Sequence, residues 1–385
     1  MKSERRKKIL NKLRENGLDG LLFASGADFQ YLAECCSYLW QRNCFNQMAE
    51  TAGALIIPEA LIFMDGEGKT TILTIPSLKD HFDISKNEVV VSYLDQFEDE
   101  LSHIVKGRKI GIGRDCDKWI INALKNVDEK IETIKVENIF DDLRRIKDEK
   151  EIAIMNKLAK FTDEAMLHVV KHMYEGMTMF ECERMVVDYG LSHGIQDLSF
   201  PPTCGFKTRN TKNAENIEPF EAERKLVPGT MVAFDIGYMD QGYCSDWGRT
   251  VYYGKAPEFV KKGYEALQEA QCYMIDKIRP GVTKFSELYG YICDKAEELG
   301  YYEYLRFKRE ERGGNGHHIG SEVHELPWMR ADEHLVLQPG MIFCSEPKMF
   351  FPNEGYMRVE DMVMVTKDGA VSLSEFPRDL FEIGI

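Results

Sequence analysis

The stretch Met341-Ile-Phe-Cys-Ser-Glu346-Pro-Lys-Met-Phe350 and its sequel Tyr356-Met-Arg358-Val-Glu360-Asp361-Met-Val-Met-Val365 flank a cluster of turn formers, Pro352-Asn-Glu-Gly355. Apolar runs on either side of such a tip read as a β-hairpin. Placing Glu346 opposite Glu360 centres the turn on Asn353, so register and turn signal agree. The same reading applies to Met231-Val-Ala-Phe-Asp235-Ile-Gly-Tyr-Met and Tyr243-Cys-Ser-Asp246-Trp-Gly-Arg249-Thr-Val-Tyr-Tyr253, separated by Asp240-Gln-Gly242. There Asp235 is expected opposite Asp246, with the turn at Asp240-Gln241. Residues opposite each other in an antiparallel pair share a face, their Cβ atoms about 5 Å apart. Each hairpin therefore aims two carboxylates at one point.

Like charges in that position destabilise a sheet unless a cation holds them. Between the hairpins lies Gly313-Gly-Asn-Gly316-His317-His318-Ile-Gly320-Ser-Glu-Val-His324-Glu, whose glycines argue for a loop. Histidine beside four carboxylates points to a metal centre. Two divalent ions would balance four ionised carboxylates, whereas one would push a carboxyl toward protonation. Carboxylate and imidazole ligands suit Mn²⁺, Co²⁺ or Zn²⁺. Two such ions about 3.5–4 Å apart can generate a bridging hydroxide near neutral pH.

The order Asp, Asp, His, Glu, Glu is carried by Phe-Asp235-Ile-Gly, Ser-Asp246-Trp-Gly-Arg-Thr, Gly-His317-His-Ile-Gly, Ser-Glu346-Pro and Arg-Val-Glu360-Asp. Over about residues 145–370 it resembles the prolidase, aminopeptidase P, creatinase and methionine aminopeptidase family. The resemblance implies an α+β chain. A smaller α/β creatinase-type domain at 1–142 would precede a pita-bread catalytic domain at 143–385, in which helices cover a curved antiparallel sheet. It further implies Asp235, Asp246, His317, Glu346 and Glu360 as ligands of two divalent ions. His324 would be the outer histidine that contacts substrate, and Arg358 the arginine kept two before the last Glu. With Glu346 as proton acceptor, His324, Glu346 and Arg358 are the catalytic candidates. The implied activity is hydrolysis of an amide bond by a metal-bridging hydroxide, as in Xaa-Pro aminopeptidases and dipeptidases. The alternatives are a creatinase-like C–N hydrolase or lyase on a small anionic or zwitterionic substrate, and a non-catalytic binding protein of the same fold.

Two departures from the family pattern stand out. No histidine occurs between His193 and His317, where the family places one upstream of the first Asp. Within residues 200–219, Glu215 and Glu218 read either as substitutes for it or as exposed loop carboxylates. Lys348 stands where the family has glycine after the proline. Strand alternation puts Lys348 on the ligand face opposite Arg358, a pair of cations suited to balancing the acids or to holding an anionic group of the substrate. Lys348 and His318 join the substrate-facing candidates. Cys244 and Cys344, each two before an acidic ligand, read as small residues of the site wall.

The 385 residues suggest at least two domains, and the apolar fraction of 44% suffices for large cores. A net charge of −15 argues against nucleic acid or an anionic membrane as partner. The N-terminal Met-Lys-Ser-Glu-Arg-Arg-Lys-Lys lacks the apolar region of a signal peptide, and a cytoplasmic protein is expected. Ten cysteines without Cys-x-x-Cys pairs read as reduced thiols. Residues 4–17 form an amphipathic helix in this reading. Strands follow at Ala54–Met64, Thr70–Thr74, Glu88–Tyr93 and Lys109–Gly113, with helices at Gln96–Lys106 and Asp117–Val127. The stretch from Tyr31 to Phe45 reads either as a buried aromatic helix of its own domain or, by the resemblance, as a segment carrying Trp40, Arg42 and Phe45 to the site of a second subunit in a homodimer. Leu143-Arg-Arg-Ile-Lys-Asp-Glu-Lys-Glu is a charged linker and solvated helix face leading into a helix near 148–173.

Overall fold

The computed structural model describes residues 3–34, 37, 40, 59–93, 96–116, 118–212, 214, 224–309 and 315–385. The chain divides into two compact units, Met1–Arg144 and Arg145–Ile385. No helix among the described residues is long and apolar enough to cross a membrane.

Among its described residues the first unit is built on six strands: β1 (Gly20–Ala24), β2 (Ala60–Asp65), β3 (Thr70–Thr74), β4 (Glu88–Val91), β5 (Lys109–Ile112) and β6 (Glu132–Lys135). They lie in the order β4-β3-β2-β1-β5-β6. β2 pairs antiparallel with β1 and β3, and the other pairings are parallel. Side chains alternate across the sheet, so β1 serves two cores. Leu21 and Phe23 pack with Ile9, Leu13 and Phe140 on one face, while Leu22 and Ala24 pack with Phe97 and Ile120 on the other. Helices Glu4–Glu15 and Glu137–Arg145 supply the first set, and helices Phe97–Ile104 and Lys118–Val127 the second. Ser3 caps the first helix by accepting from the Arg6 N–H.

The second unit carries β7 (Asp197–Leu198), β8 (Thr203–Thr208), β9 (Thr230–Ile236), β10 (Tyr238–Asp240), β11 (Tyr243–Cys244), β12 (Trp247–Tyr253), β13 (Gly316–His318), β14 (Glu325–Trp328), β15 (Ile342–Ser345), β16 (Lys348–Phe351), β17 (Gly355–Arg358), β18 (Asp361–Val365), β19 (Ala370–Ser372) and β20 (Phe381–Ile383). Two sheets dominate, β20-β12-β9-β8 and β14-β13-β15-β18-β19. All their pairings are antiparallel except β12 with β20. Helices Glu258–Lys277 and Leu288–Glu298 cover them through Val260, Leu267, Met274 and Ile292, packed against Phe343, Phe351 and Val363.

The linker read at 143–151 is more structured than its charges suggested. Asp148 and Glu151 form a reciprocal capping box at the start of helix Glu149–His172. Lys147 and Glu151 are buried rather than solvated. Lys147 pairs with Glu325 at 3.0 Å, and Glu151 accepts from the Tyr243 hydroxyl at 2.7 Å.

The two sheets meet at Gly248 and Glu360. The Glu360 N–H donates to the Gly248 carbonyl at 2.8 Å, and the Gly248 N–H donates back at 3.2 Å. Thr250 ties the same edge to Arg358, its hydroxyl donating to the Arg358 carbonyl at 3.1 Å and accepting from the Arg358 N–H at 2.8 Å. A Cβ on residue 248 would stand 2.8 Å from the Arg358 side chain and 2.9 Å from that of Glu360, so glycine is what permits the approach.

Candidate metal centre

The hairpin β15–β18 and its tip β16–β17 keep one register throughout, with Ser345 opposite Asp361 and Lys348 opposite Arg358. The turn sits on Asn353, whose φ of 63° is left-handed. Glu346 and Glu360 fall at matched positions in the gap between the two paired segments, as the turn signal implied. The hairpin β9–β12 differs from expectation by two residues: Asp235 pairs with Gly248, and the turn falls on Gln241-Gly242, both with positive φ. Two left-handed residues suit the right-handed twist of a two-residue hairpin, which Asp240-Gln241 would not supply as well. A shift of two preserves the face, so Asp246 still turns toward the site, now diagonal to Asp235.

His317 stands on β13, not in the loop its glycines suggested. It lies between Cys344 on β15 and Trp328 on β14. Gly316 makes this possible, since a Cβ there would come within 2.2 Å of the Cys344 carbonyl. His317 Nδ1 lies 3.0 Å from the His318 carbonyl and so donates to it, leaving Nε2 as an acceptor toward the cluster. That Nε2 is 3.3 Å from Asp246 Oδ2, two acceptors facing each other as they would across a cation. Ligand atoms of Asp246, His317, Cys344 and Glu360 all lie within 4.8 Å of one another. Asp246 Oδ1 and Glu360 Oε1 are buried with no hydrogen-bond partner among the described residues. Burial, with repulsion from Asp235, pushes the Asp246 carboxyl well above the usual range. Burial does the same to Glu360, Arg358 opposing it. These groups fit a divalent ion, which would compensate both.

The chain's own cations meet three of the four acids, Glu360 among them. Arg358 contacts Asp235 Oδ2 through Nη1, and through Nη2 lies 3.0 Å from Glu346 Oε2 and 2.8 Å from Glu360 Oε2. The Lys348 ammonium contacts the same Glu346 oxygen. Although burial works against it, Lys348 and Arg358 hold Glu346 below the ordinary carboxylate range. The cation pair thus forms as expected, and its members face the carboxylates of Asp235, Glu346 and Glu360.

His324 lies at the exposed rim, its ring centroid 4.4 Å from that of His317 and 5.0 Å from that of Trp328. Partial burial and the neighbouring His317 lower its pKa. His318 has to be withdrawn from the substrate set. Strand alternation turns it away from His317 into the core, wholly buried, 4.9 Å from the Phe285 ring. Trp40 packs on the core of the first unit, as the helix reading of that stretch allowed. Arg42, Phe45, Glu215 and Glu218 lie outside the described residues.

Sequence reasoning treated Cys344 as wall only. Its Sγ is one corner of the four-residue cluster, and its position two before Glu346 was the signal. It also missed the buried scaffold. Arg249 donates to the Gly248 and Glu360 carbonyls at 2.9 and 2.8 Å and pairs with Asp361. Asp163 accepts from Trp247 Nε1 at 2.9 Å and Ser374 Oγ at 2.7 Å.

A family model described as metallopeptidase family M24 matches residues 153–367, and one described as creatinase/prolidase N-terminal domain matches residues 5–146. The Xaa-Pro dipeptidase of Pyrococcus horikoshii is 28% identical over 381 residues, 98% of this chain and 99% of that protein. A putative dipeptidase of Bacillus subtilis is 32% identical over 258 residues, 67% of this chain and 68% of its own. The crystal structure of the prolidase from Pyrococcus horikoshii OT3 matches with a TM-score of 0.79 at 26% identity, covering 98% of this chain and 100% of that one.

Proposed function

Since the chain belongs to metallopeptidase family M24, we propose that it is a metal-dependent Xaa-Pro dipeptidase, with Asp235, Asp246, His317, Glu346 and Glu360 as its metal ligands. The observation that carries this reading is the buried cluster of Asp246, His317 and Glu360 beside His324, linked through Arg358 to Asp235 and Glu346, in a chain similar over nearly its whole length to an Xaa-Pro dipeptidase. When bound, the metal would supply Lewis-acid polarisation of the scissile carbonyl and an activated water. Mn²⁺, Co²⁺ and Zn²⁺ all suit the oxygen and imidazole donors, and the Cys344 sulfur favours Co²⁺ or Zn²⁺.

Glu346 accepts the proton of the attacking water in this reading, with Lys348 and Arg358 on its Oε2 keeping it ionised beforehand. His324, neutral near pH 7 because its pKa is lowered, offers a ring nitrogen to the substrate at the rim. Arg358 positions Asp235, Glu346 and Glu360. We read the enzyme as a cytoplasmic homodimer. The role expected of Arg42 at a second subunit's site depends on that assembly, and fully active monomer in sedimentation would remove it.

The test is turnover by protein loaded with each metal in turn. Xaa-Pro dipeptides and longer Xaa-Pro peptides are compared with creatine-like and betaine-like compounds. Cleavage of the dipeptides, abolished by a chelator and restored by metal, is expected. Turnover confined to the non-peptide compounds would establish the creatinase-like alternative instead.

A further inference from the structure

The four acids of the centre divide into two pairs with different company. Asp246 and Glu360 are joined by His317 and Cys344 in a buried cluster whose ligand atoms lie within 4.8 Å of one another. Asp235 and Glu346 are held by cations of the chain itself: Arg358 spans both and reaches Glu360 Oε2 at 2.8 Å as well, while Lys348 caps Glu346 alone, on the oxygen that Arg358 also meets. We infer that Lys348 takes the place of a second metal ion, so that the centre holds one divalent ion at the corner of Asp246, His317, Cys344 and Glu360. This rests on the metal-dependent reading above and narrows its ligand set, with Asp235 and Glu346 holding Arg358 and Lys348 in place of a second ion.

Charge supports the division. Counting carboxylates alone calls for two divalent ions, but Lys348 and Arg358 neutralise two of the four charges, and one ion neutralises the rest. A second ion between Asp235 and Glu346 would have to displace a buried ammonium or share the carboxylates with it. The backbone does not offer Lys348 an easy retreat. Its carbonyl accepts from the Arg306 N–H at 2.9 Å, the Pro347 carbonyl before it accepts from the Val359 N–H at 3.2 Å, and β16 pairs it with Arg358. The side chain is about nine-tenths buried, which excludes water from competing for Glu346.

The inference is tested by counting ions. Metal-free protein is saturated with Co²⁺, freed of excess by desalting, and assayed for bound metal. The same is done for Lys348→Gly and Lys348→Met, the second of which keeps most of the side chain's bulk and guards against loss of fold in the first. Far-ultraviolet dichroism checks that each variant is folded. Wild type should retain one equivalent and the folded variants two. With Mn²⁺, the resonance spectrum should pass from that of an isolated ion in wild type to that of a spin-coupled pair in the variants. Two equivalents in wild type, or one in a folded variant, overturns the inference and leaves the peptidase reading standing. Wild type that retains no metal and cleaves Xaa-Pro substrates unaffected by chelators overturns both.

Discussion

In the β15–β18 hairpin the acids stand at matched positions and the strand continuations carry Lys348 and Arg358 beside them. In the β9–β12 hairpin the acids are offset by two residues, and the neighbouring strand positions bring no cation to their face. Asp235 borrows Arg358 from the other hairpin, and Asp246 is left with His317. The pair that supplies its own counter-charge thus serves both, and what remains uncompensated collects where the two hairpins meet. A site shaped this way has its metal-binding demand set by the leftover charge, not by the number of acidic residues.

The sharpest break in that comparison is to remove one leftover charge. Glu360→Gln keeps the shape and the backbone bridge to Gly248 but removes one of the two carboxylates of the buried cluster, one that Arg358 offsets only in part. Loss of a metal's Lewis-acid contribution is worth several kcal/mol, so kcat/KM for an Xaa-Pro dipeptide should fall about 10⁴-fold. Bound metal should fall with it. A variant that keeps its metal and most of its activity would mean the ion rests on the Asp235 side.

The joint between the hairpins comes next. Arg249, fully buried on β12, reaches across to the Glu360 carbonyl and pairs with Asp361 on β18, which also takes Arg378 at 3.1 Å. Asp361→Ala strands the Arg249 charge inside the protein, and stability should fall by about 3 kcal/mol in a denaturant titration. A loss within a few tenths of a kcal/mol would show that the two hairpins are held by their backbone bridge and core instead.

The element pattern and the meeting of Asp246, His317 and Glu360 were legible in the sequence because they rest on periodicity, turn chemistry and local spacing. The capping residues Ser3, Asp148 and Thr178 mark helix starts as sequence rules require. What escaped depends on contacts between distant segments. Nothing local distinguishes the buried Lys147 from the exposed lysines near it, because its partner Glu325 is far along the chain. Trp328 and Cys344 pin His317 into a strand that four glycines would otherwise dissolve. His318 was misjudged for the same reason, since its neighbour's role says nothing about the opposite face of the strand.

His318 offers a smaller test of that face. Burial, followed by the charges of Lys147 and Arg145, holds its folded pKa well below the ordinary 6.5, and neither ring nitrogen has a hydrogen-bond partner among the described residues. Below about pH 6.5 the unfolded chain therefore takes up a proton that the folded protein refuses, and the folded state loses up to about 1.4 kcal/mol per pH unit. His318→Leu removes that dependence. Its stability advantage over wild type should grow by about 1 kcal/mol between about pH 7 and pH 5.5, with KM unchanged. A raised KM at constant stability would return His318 to the substrate set.

The smallest effect addresses the two-residue offset itself. In the observed register Gln241 and Gly242 are the central turn residues, with φ of 50° and 79°. Glycine accepts that conformation freely, and glutamine does so at a cost that asparagine largely avoids, because its short amide bonds to its own backbone. Gln241→Asn should therefore stabilise the protein by about 0.5 kcal/mol, read as a rise in the denaturant midpoint with unchanged slope. Asp240 belongs to β10 and pairs with Tyr243, so Asp240→Asn should be neutral to within a few tenths of a kcal/mol. Were the turn at Asp240-Gln241, with Asp235 opposite Asp246, asparagine at 240 would be the stabilising change, and Gly242 would sit in a strand where alanine should improve it. At the observed φ of 79°, Gly242→Ala should instead cost about 1 kcal/mol. The three substitutions together decide whether the first pair of acids is offset, and with it why Asp246 and not Asp235 carries the uncompensated charge.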